Sequence, residues 1–165
     1  DRLSPTGVCN LLLVEPEALT DKAALRAHLA SNLPVDRCRV TVVEEKVGQR
    51  QSAPLWELLD RTGVKVWDLV DMDVQGGEVQ IIREELEQLA TRVRRLHVQT
   101  HTKAEHREII RRLRGAGWTV PLEIPAVTLS HVDPYGALVT MDGHLSAFPP
   151  TAFPPDLSGW KRLPV

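Results

Sequence analysis

LVDMDVQGGE, residues 69–78, changes character half-way: an apolar run gives way to two acids, a glycine pair and a further acid. Val66–Asp73 reads as a short buried strand, being rich in apolar and β-branched residues and closed by turn formers. Directly after it, Val79, Ile82, Leu86 and Leu89 recur at helical spacing and predict a helix with one apolar stripe. A strand that runs straight into a helix is half of a βαβ crossover. The stretch therefore marks the carboxyl end of a strand in a parallel-sheet α/β domain.

Working outward, the same alternation repeats. Val8–Glu15 and Cys38–Val43 read as strands upstream, with a helix after Thr20 between them. Ser52 and Pro54 open a short helix with Leu55, Leu58 and Leu59 on one face and Gly63 at its end. Downstream, Val93–Thr100 is a strand, and the helix after it carries Ile109, Ile110 and Leu113 and stops at Gly115 and Gly117. The alternation then ends. Gly136–Met141 and His144–Phe148 flank Asp142-Gly143, a dipeptide that predicts a tight antiparallel hairpin. The proline-rich segment 149–165 is expected to be a surface tail, leaving 1–148 as one domain.

Composition narrows the function classes. At 165 residues the chain is long enough to bury a core without staples. A net charge of −2 offers no electrostatic case for nucleic acid or an anionic membrane, so neither is expected as a partner. The basic runs at 92–95 and 111–114 lie beside helical periodicity and read as solvated faces. Cys9 and Cys38 form no metal spacing and no disulfide framework, which fits a reducing, cytoplasmic setting; they could meet if their strands are neighbours, but buried free thiols are the preferred reading. No nucleophile elbow, P-loop, CxxC or HExxH pattern occurs, so covalent hydrolysis and NTP hydrolysis are poorly supported.

In open α/β sheets ligands bind beyond the carboxyl ends of the strands. That rule selects Glu15, Glu44 and Glu45, the block from Asp71 to Glu78, and Gln99 to Thr102. Glu15 is placed to accept hydrogen bonds from ribose hydroxyls, although an acid there can equally serve nearby backbone amides. Asp71 and Asp73 share one face, and carboxylates in so apolar a strand are costly unless paired, hydrated or bound. The Gly76-Gly77-Glu78 part is explained well enough by a tight turn with an acid in the first helical turn. His97, Gln99 and His101 share a face of the next strand, and His101, nearest its end, is the candidate general base beside Asp73. Asp71, Asp73 and His101 could together hold a divalent cation, but the spacing is no diagnostic motif and no metal is expected.

The order of these pieces resembles the FkbM-type S-adenosylmethionine-dependent methyltransferases. The likeness rests on Val14-Glu15-Pro16, Leu29-Ala30-Ser31-Asn32-Leu33, the block Asp71–Glu78, Val98-Gln99-Thr100-His101, the helix end LRGAGW and the late Asp142-Gly143. It implies a Rossmann-like, mostly parallel sheet ending in an antiparallel hairpin, with S-adenosylmethionine as cofactor. It implies that Glu15 holds the cofactor ribose, that Glu45 flanks the adenine, and that Asp73, Gln75 and His101 lie near the transferred methyl group. Asp73 and His101 are then the catalytic candidates. The expected activity is O-methylation of a hydroxyl on a small molecule or sugar.

Two departures qualify the likeness. Asp71 stands where such proteins carry lysine, and Gln75 where they carry glutamate. Ahead of Val8 only DRLSPTG precedes, so the family's first strand and glycine-rich loop are not in this sequence, and the non-Met start leads us to expect a missing amino-terminal piece of the same protein. A degenerate, non-catalytic binding or scaffold domain is the alternative.

Overall fold

The computed structural model describes residues 9–14, 38–43, 45–50, 52–132 and 136–150, together with Ala23, Ala24, Ala27 and Ser31. In chain order the elements are β1 (Cys9–Val14), β2 (Cys38–Val43), α1 (Leu55–Arg61), β3 (Val70–Met72), α2 (Glu78–Glu84), α3 (Leu86–Ala90), β4 (Leu96–Thr100), α4 (Lys103–Gly115), β5 (Thr119–Ile124), β6 (Thr128–Val132), β7 (Gly136–Thr140) and β8 (Gly143–Phe148). Ala23, Ala24, Ala27 and Ser31 are helical, in line with the helix expected after Thr20. Residues 151–165 of the proline-rich segment, and Glu15-Pro16 after β1, lie outside the described residues.

The fold is mixed α/β. β1 and β2 pair in parallel, as do β3 and β4. β8 inserts between β4 and β5, antiparallel to both, giving the order β3-β4-β8-β5. β6 and β7 form a separate antiparallel ribbon. The expected mostly parallel sheet is thus, among the described residues, a mixed one. Cys9 and Cys38 occupy partner positions in the β1–β2 register.

One face of the four-stranded sheet builds the core. Val70 and Met72, Leu96 and Val98, and Leu145 and Ala147 are all buried, against Ile81 and Ile82 of α2 and Ile109 and Leu113 of α4. Each fully buried aliphatic chain of this kind contributes about 1.5–3 kcal/mol. The opposite face carries Asp71, His97 and Gln99, none of them buried. The side-chain alternation of a strand thus separates core from chemistry.

Three sequence expectations change. The strand read as Val66–Asp73 is regular only over Val70–Met72, with Trp67 making an isolated parallel bridge to Val93. The single helix expected from Val79 to Leu89 is kinked at Glu85 (φ −121°, ψ 1°) into α2 and α3. Its Oε2 accepts the Trp56 backbone N–H at 3.1 Å, capping α1, whose own N-cap Pro54 supplies no side-chain acceptor. Burial pushes the Glu85 carboxyl above the usual carboxylate range, against the lowering effect of the amides of Trp56 and Leu55.

The third change is topological. Asp142-Gly143 does not close a hairpin of β7 on β8, because those strands lie in different sheets. β7 returns along β6 instead, with Leu129 opposite Val139. Met141 and Asp142 are the joint between the ribbon and the main sheet. A turn dipeptide favours a local reversal, but pairing β8 with two strands buries Leu145 and Ala147 completely, and that burial decides the outcome.

Candidate functional site

The carboxyl ends of β3 and β4 meet at His101. Its backbone is fixed by the start of α4. Thr102 is the N-cap and accepts the Glu105 N–H at 3.1 Å, while Glu105 reaches back to the His101 N–H at 3.3 Å. The pattern Thr-x-x-Glu is that of a capping box, with the return bond made to the residue before the N-cap. The imidazole is oriented by Asp142, whose Oδ1 lies 3.2 Å from Nδ1 and accepts its proton. Asp142 is itself held by Gln99, which donates to its other oxygen at 3.3 Å.

The other ring nitrogen faces the LVDMDVQGGE turn. Nε2 lies 3.2 Å from Asp73 Oδ1 and 3.4 Å from Glu78 Oε1. Neither contact is aligned as a hydrogen bond, and Nε2 is a buried atom without a hydrogen-bond partner among the described residues. Burial pushes the imidazolium down, but the hydrogen bond to Asp142 and the charges of Glu78 and Asp73 outweigh it, so the His101 pKa lies above its ordinary value.

Glu78 corrects the simple turn reading. It is only 1% exposed, and its two oxygens accept the Val74 and Gly76 N–H groups at 2.8 Å each. The carboxylate therefore closes the turn from inside while presenting an edge to His101. Gln75 sits at the apex with φ 52°, exposed, and Gly76 follows with φ 109° and open space where a side chain would be. Gly77 packs against the loop after β2. A Cβ on Gly48 would lie 2.5 Å from the Gly77 carbonyl oxygen, so the carboxyl ends of β2 and β3 touch through glycine backbones.

Of the residues singled out from the sequence, Asp73 and His101 come together. Asp71 does not join them: it is exposed on β3, and its charge acts on His97. Glu78 takes its place in the three-residue group Asp73, Glu78 and His101, whose ligand-type atoms all lie within 4.8 Å of one another. Glu45 is engaged elsewhere, accepting a hydrogen bond from Arg61 at 2.7 Å. Glu15 and Glu44 lie outside the described residues. Asp142 was missed, since its sequence signal reads only as a turn; Glu105 had a signal in the Thr102–Glu105 pattern.

The basic run of α4 is internally paired. Glu108 binds both Arg111 and Arg112, and Glu123 binds Arg114. Deeper in, the Thr100 hydroxyl lies 2.9 Å from His106 Nδ1. His97 stacks on His144 with ring centroids 5.6 Å apart. Burial lowers the pKa of both His97 and His106. The unfolded chain therefore binds protons at these two sites before the folded chain does. Stability should be full above about pH 6.5 and fall as pH drops through that value, by at most about 1.4 kcal/mol per pH unit for each histidine. His101 opposes this, since its raised pKa adds stability that is present below that value and lost as pH rises through its folded pKa. Urea denaturation at neutral and mildly acidic pH should show the acid loss, and His106→Gln should reduce it; a pH profile that His106→Gln leaves unchanged would contradict the burial argument.

No family model matches the chain, and no curated protein matches it. Two solved structures are similar in shape. The human methyltransferase 10 domain containing protein shares 21% identity with a TM-score of 0.47, over 84% of this chain and 59% of its own. The delta-N METTL16 MTase domain shares 20% with a TM-score of 0.45, over 83% and 60%. The chain thus spans about three fifths of each of those structures. Likeness at this level does not carry chemistry from them to this chain. No helix among the described residues is long and apolar enough to cross a membrane.

Proposed function

We propose that this chain is an S-adenosylmethionine-dependent O-methyltransferase domain acting on a hydroxyl of a small molecule or sugar. The observation that carries the reading is the meeting of Asp73 and His101, 3.2 Å apart at the ends of adjacent parallel strands and beside the open glycine turn. The FkbM-type resemblance of the Asp71–Glu78 block supports the same chemistry.

The residues present fit such a cofactor in charge and in space. Asp73, Glu78 and Asp142 surround one imidazole, so the site stays net negative even with His101 protonated, which favours a sulfonium cation. Exposed Asp73 and Gln75 offer acceptors, and the bare Gly76 backbone permits close approach. Bound there, the cofactor supplies an electrophilic methyl group. The protein's part is alignment and proton uptake. Asp142 fixes the His101 ring, and the Asp73–His101 pair stands ready to take the acceptor proton. Glu15, Gln75 and Glu45 remain proposed cofactor contacts, Glu45 only if Arg61 releases it.

Calorimetry with S-adenosylmethionine and its demethylated product is the test. Binding is expected in the micromolar range, and Asp73→Asn should weaken it about tenfold or more, the worth of one charged hydrogen bond. No heat at about 1 mM ligand would overturn the reading. A non-catalytic binding domain is the second reading, favoured by the Arg61 hold on Glu45 and by Gln75 in place of an acid. It predicts binding without turnover.

A further inference from the structure

We propose that Asp73, Glu78 and His101 form a divalent-cation site, with Asp142 as the residue that positions the histidine. The inference deepens the methyl-transfer reading, on which its role in the reaction rests, but the site itself stands on geometry alone.

The geometry concerns His101 Nε2. It is buried, lacks a hydrogen-bond partner, and faces two carboxylate oxygens at 3.2 and 3.4 Å. A cation about 2.1 Å from each ligand atom places neighbouring ligands about 3.0 Å apart in octahedral geometry and about 3.4 Å apart in tetrahedral geometry. Both separations fall in that interval. Neither oxygen is aligned to share a proton with Nε2, and the three ligand atoms lie within 4.8 Å of one another, as ligands that share an ion would.

The surroundings agree. A ligating histidine usually gives its other N–H to a carboxylate, which fixes the tautomer. Asp142 does this at 3.2 Å, with Gln99 holding its second oxygen. The Glu78 carboxylate is rigid, because two backbone amides clamp it, yet each of its oxygens keeps a further lone pair. Asp73 is the open side of the site, its side chain 45% exposed. One nitrogen and two oxygens suit a first-row divalent ion such as Mn²⁺ or Zn²⁺, leaving positions for water or a substrate hydroxyl. A hydroxyl ligated there would lose its proton more readily; with Nε2 then serving as a ligand, the second oxygen of the exposed Asp73 carboxylate, not His101, takes that proton in the loaded site. Three carboxylates and one dication also leave a net negative charge, so a sulfonium is still admitted.

The probe is Mn²⁺, followed by electron paramagnetic resonance as the free-ion signal disappears during titration of the 165-residue chain. One ion per chain should bind. Asp73→Asn and His101→Ala should each weaken binding tenfold or more, and Asp142→Asn by about 10- to 100-fold, as loss of a residue that orients a ligating histidine does. Asp71→Asn, on the same strand but outside the group, should leave binding unchanged. Circular dichroism of each variant guards against unfolding, and Asp73, being exposed, is the change least able to disturb the fold. Absence of Mn²⁺ and Zn²⁺ binding up to about 1 mM would overturn the proposal. So would binding that Asp73→Asn and His101→Ala both leave intact. Cofactor calorimetry separates the two ideas: cofactor binding without Mn²⁺ binding sinks the cation site alone, and Mn²⁺ binding without cofactor binding sinks the methyl-transfer reading alone.

Discussion

Glu78→Ala should unfold the protein more readily by about 3–5 kcal/mol and remove the functional site with it. The side chain is fully buried, and its oxygens satisfy the N–H groups of Val74 and Gly76. Hydrogen bonds to a charged group are worth about 1.5–3 kcal/mol each, and truncation leaves both donors without a partner in a partly buried turn. It also withdraws one of the two carboxylates that face His101 Nε2. Glu78→Gln is the graded case, since its amide oxygen can replace one acceptor and its NH₂ cannot replace the other. It should cost roughly half as much. Urea denaturation with an unchanged m-value measures both; a loss under about 1 kcal/mol for the alanine variant would show that the turn holds without its inner carboxylate.

Gly143→Ala should be comparably damaging for a different reason. An added methyl group would sit 2.4 Å from the Thr100 hydroxyl, 2.6 Å from His106 Nδ1 and 2.7 Å from the Ala126 amide nitrogen. Two of these belong to a buried hydrogen-bonded pair and the third is backbone, so none is a flexible tip that can swing aside. Overpacking of this sort costs about 1–3 kcal/mol, and breaking the Thr100–His106 contact adds about 1 kcal/mol. Thermal unfolding should show a drop of about 4–16 °C for a domain of this size. A transition temperature within about 2 °C of the parent would mean that β8 shifts freely in the sheet, contrary to its pairing on both sides.

The parts of this site that follow local rules could be read from the chain, and the parts that depend on distant pairing could not. Strand ends and helix periodicity placed Asp73 and His101 on one edge, because side-chain alternation and the strand-end rule are properties of short windows. Asp142 reaches His101 across 41 residues, and only the docking of β8 beside β4 brings it there. The sequence around Asp142-Gly143 argued for a hairpin, and the competing burial of Leu145 and Ala147 has no local signature. Glu78 was placed correctly in the first turn of its helix. Its inward direction was not legible, because a carboxylate at that position serves the helix dipole equally well when exposed. Glu85 is a similar case: the apolar stripe predicted an unbroken helix, and the kink accompanies a hydrogen bond to Trp56, 29 positions away.

The joint at Met141-Asp142 has a consequence for how such a protein can change over generations. At its base the β6–β7 ribbon is tied where the Val127 N–H meets the Met141 carbonyl at 3.0 Å. Its outward row of Leu129 and Val139, with Val127 and Met141 at the base, is 50–70% exposed and supports none of the buried core. Substitutions along that row are cheap for the fold. One residue past the tie, Asp142 is committed to His101, and Gly143 to the packed strand. The chain therefore passes within two residues from a stretch free to diversify to one that tolerates almost nothing, and a lineage can remodel the ribbon without retuning the histidine.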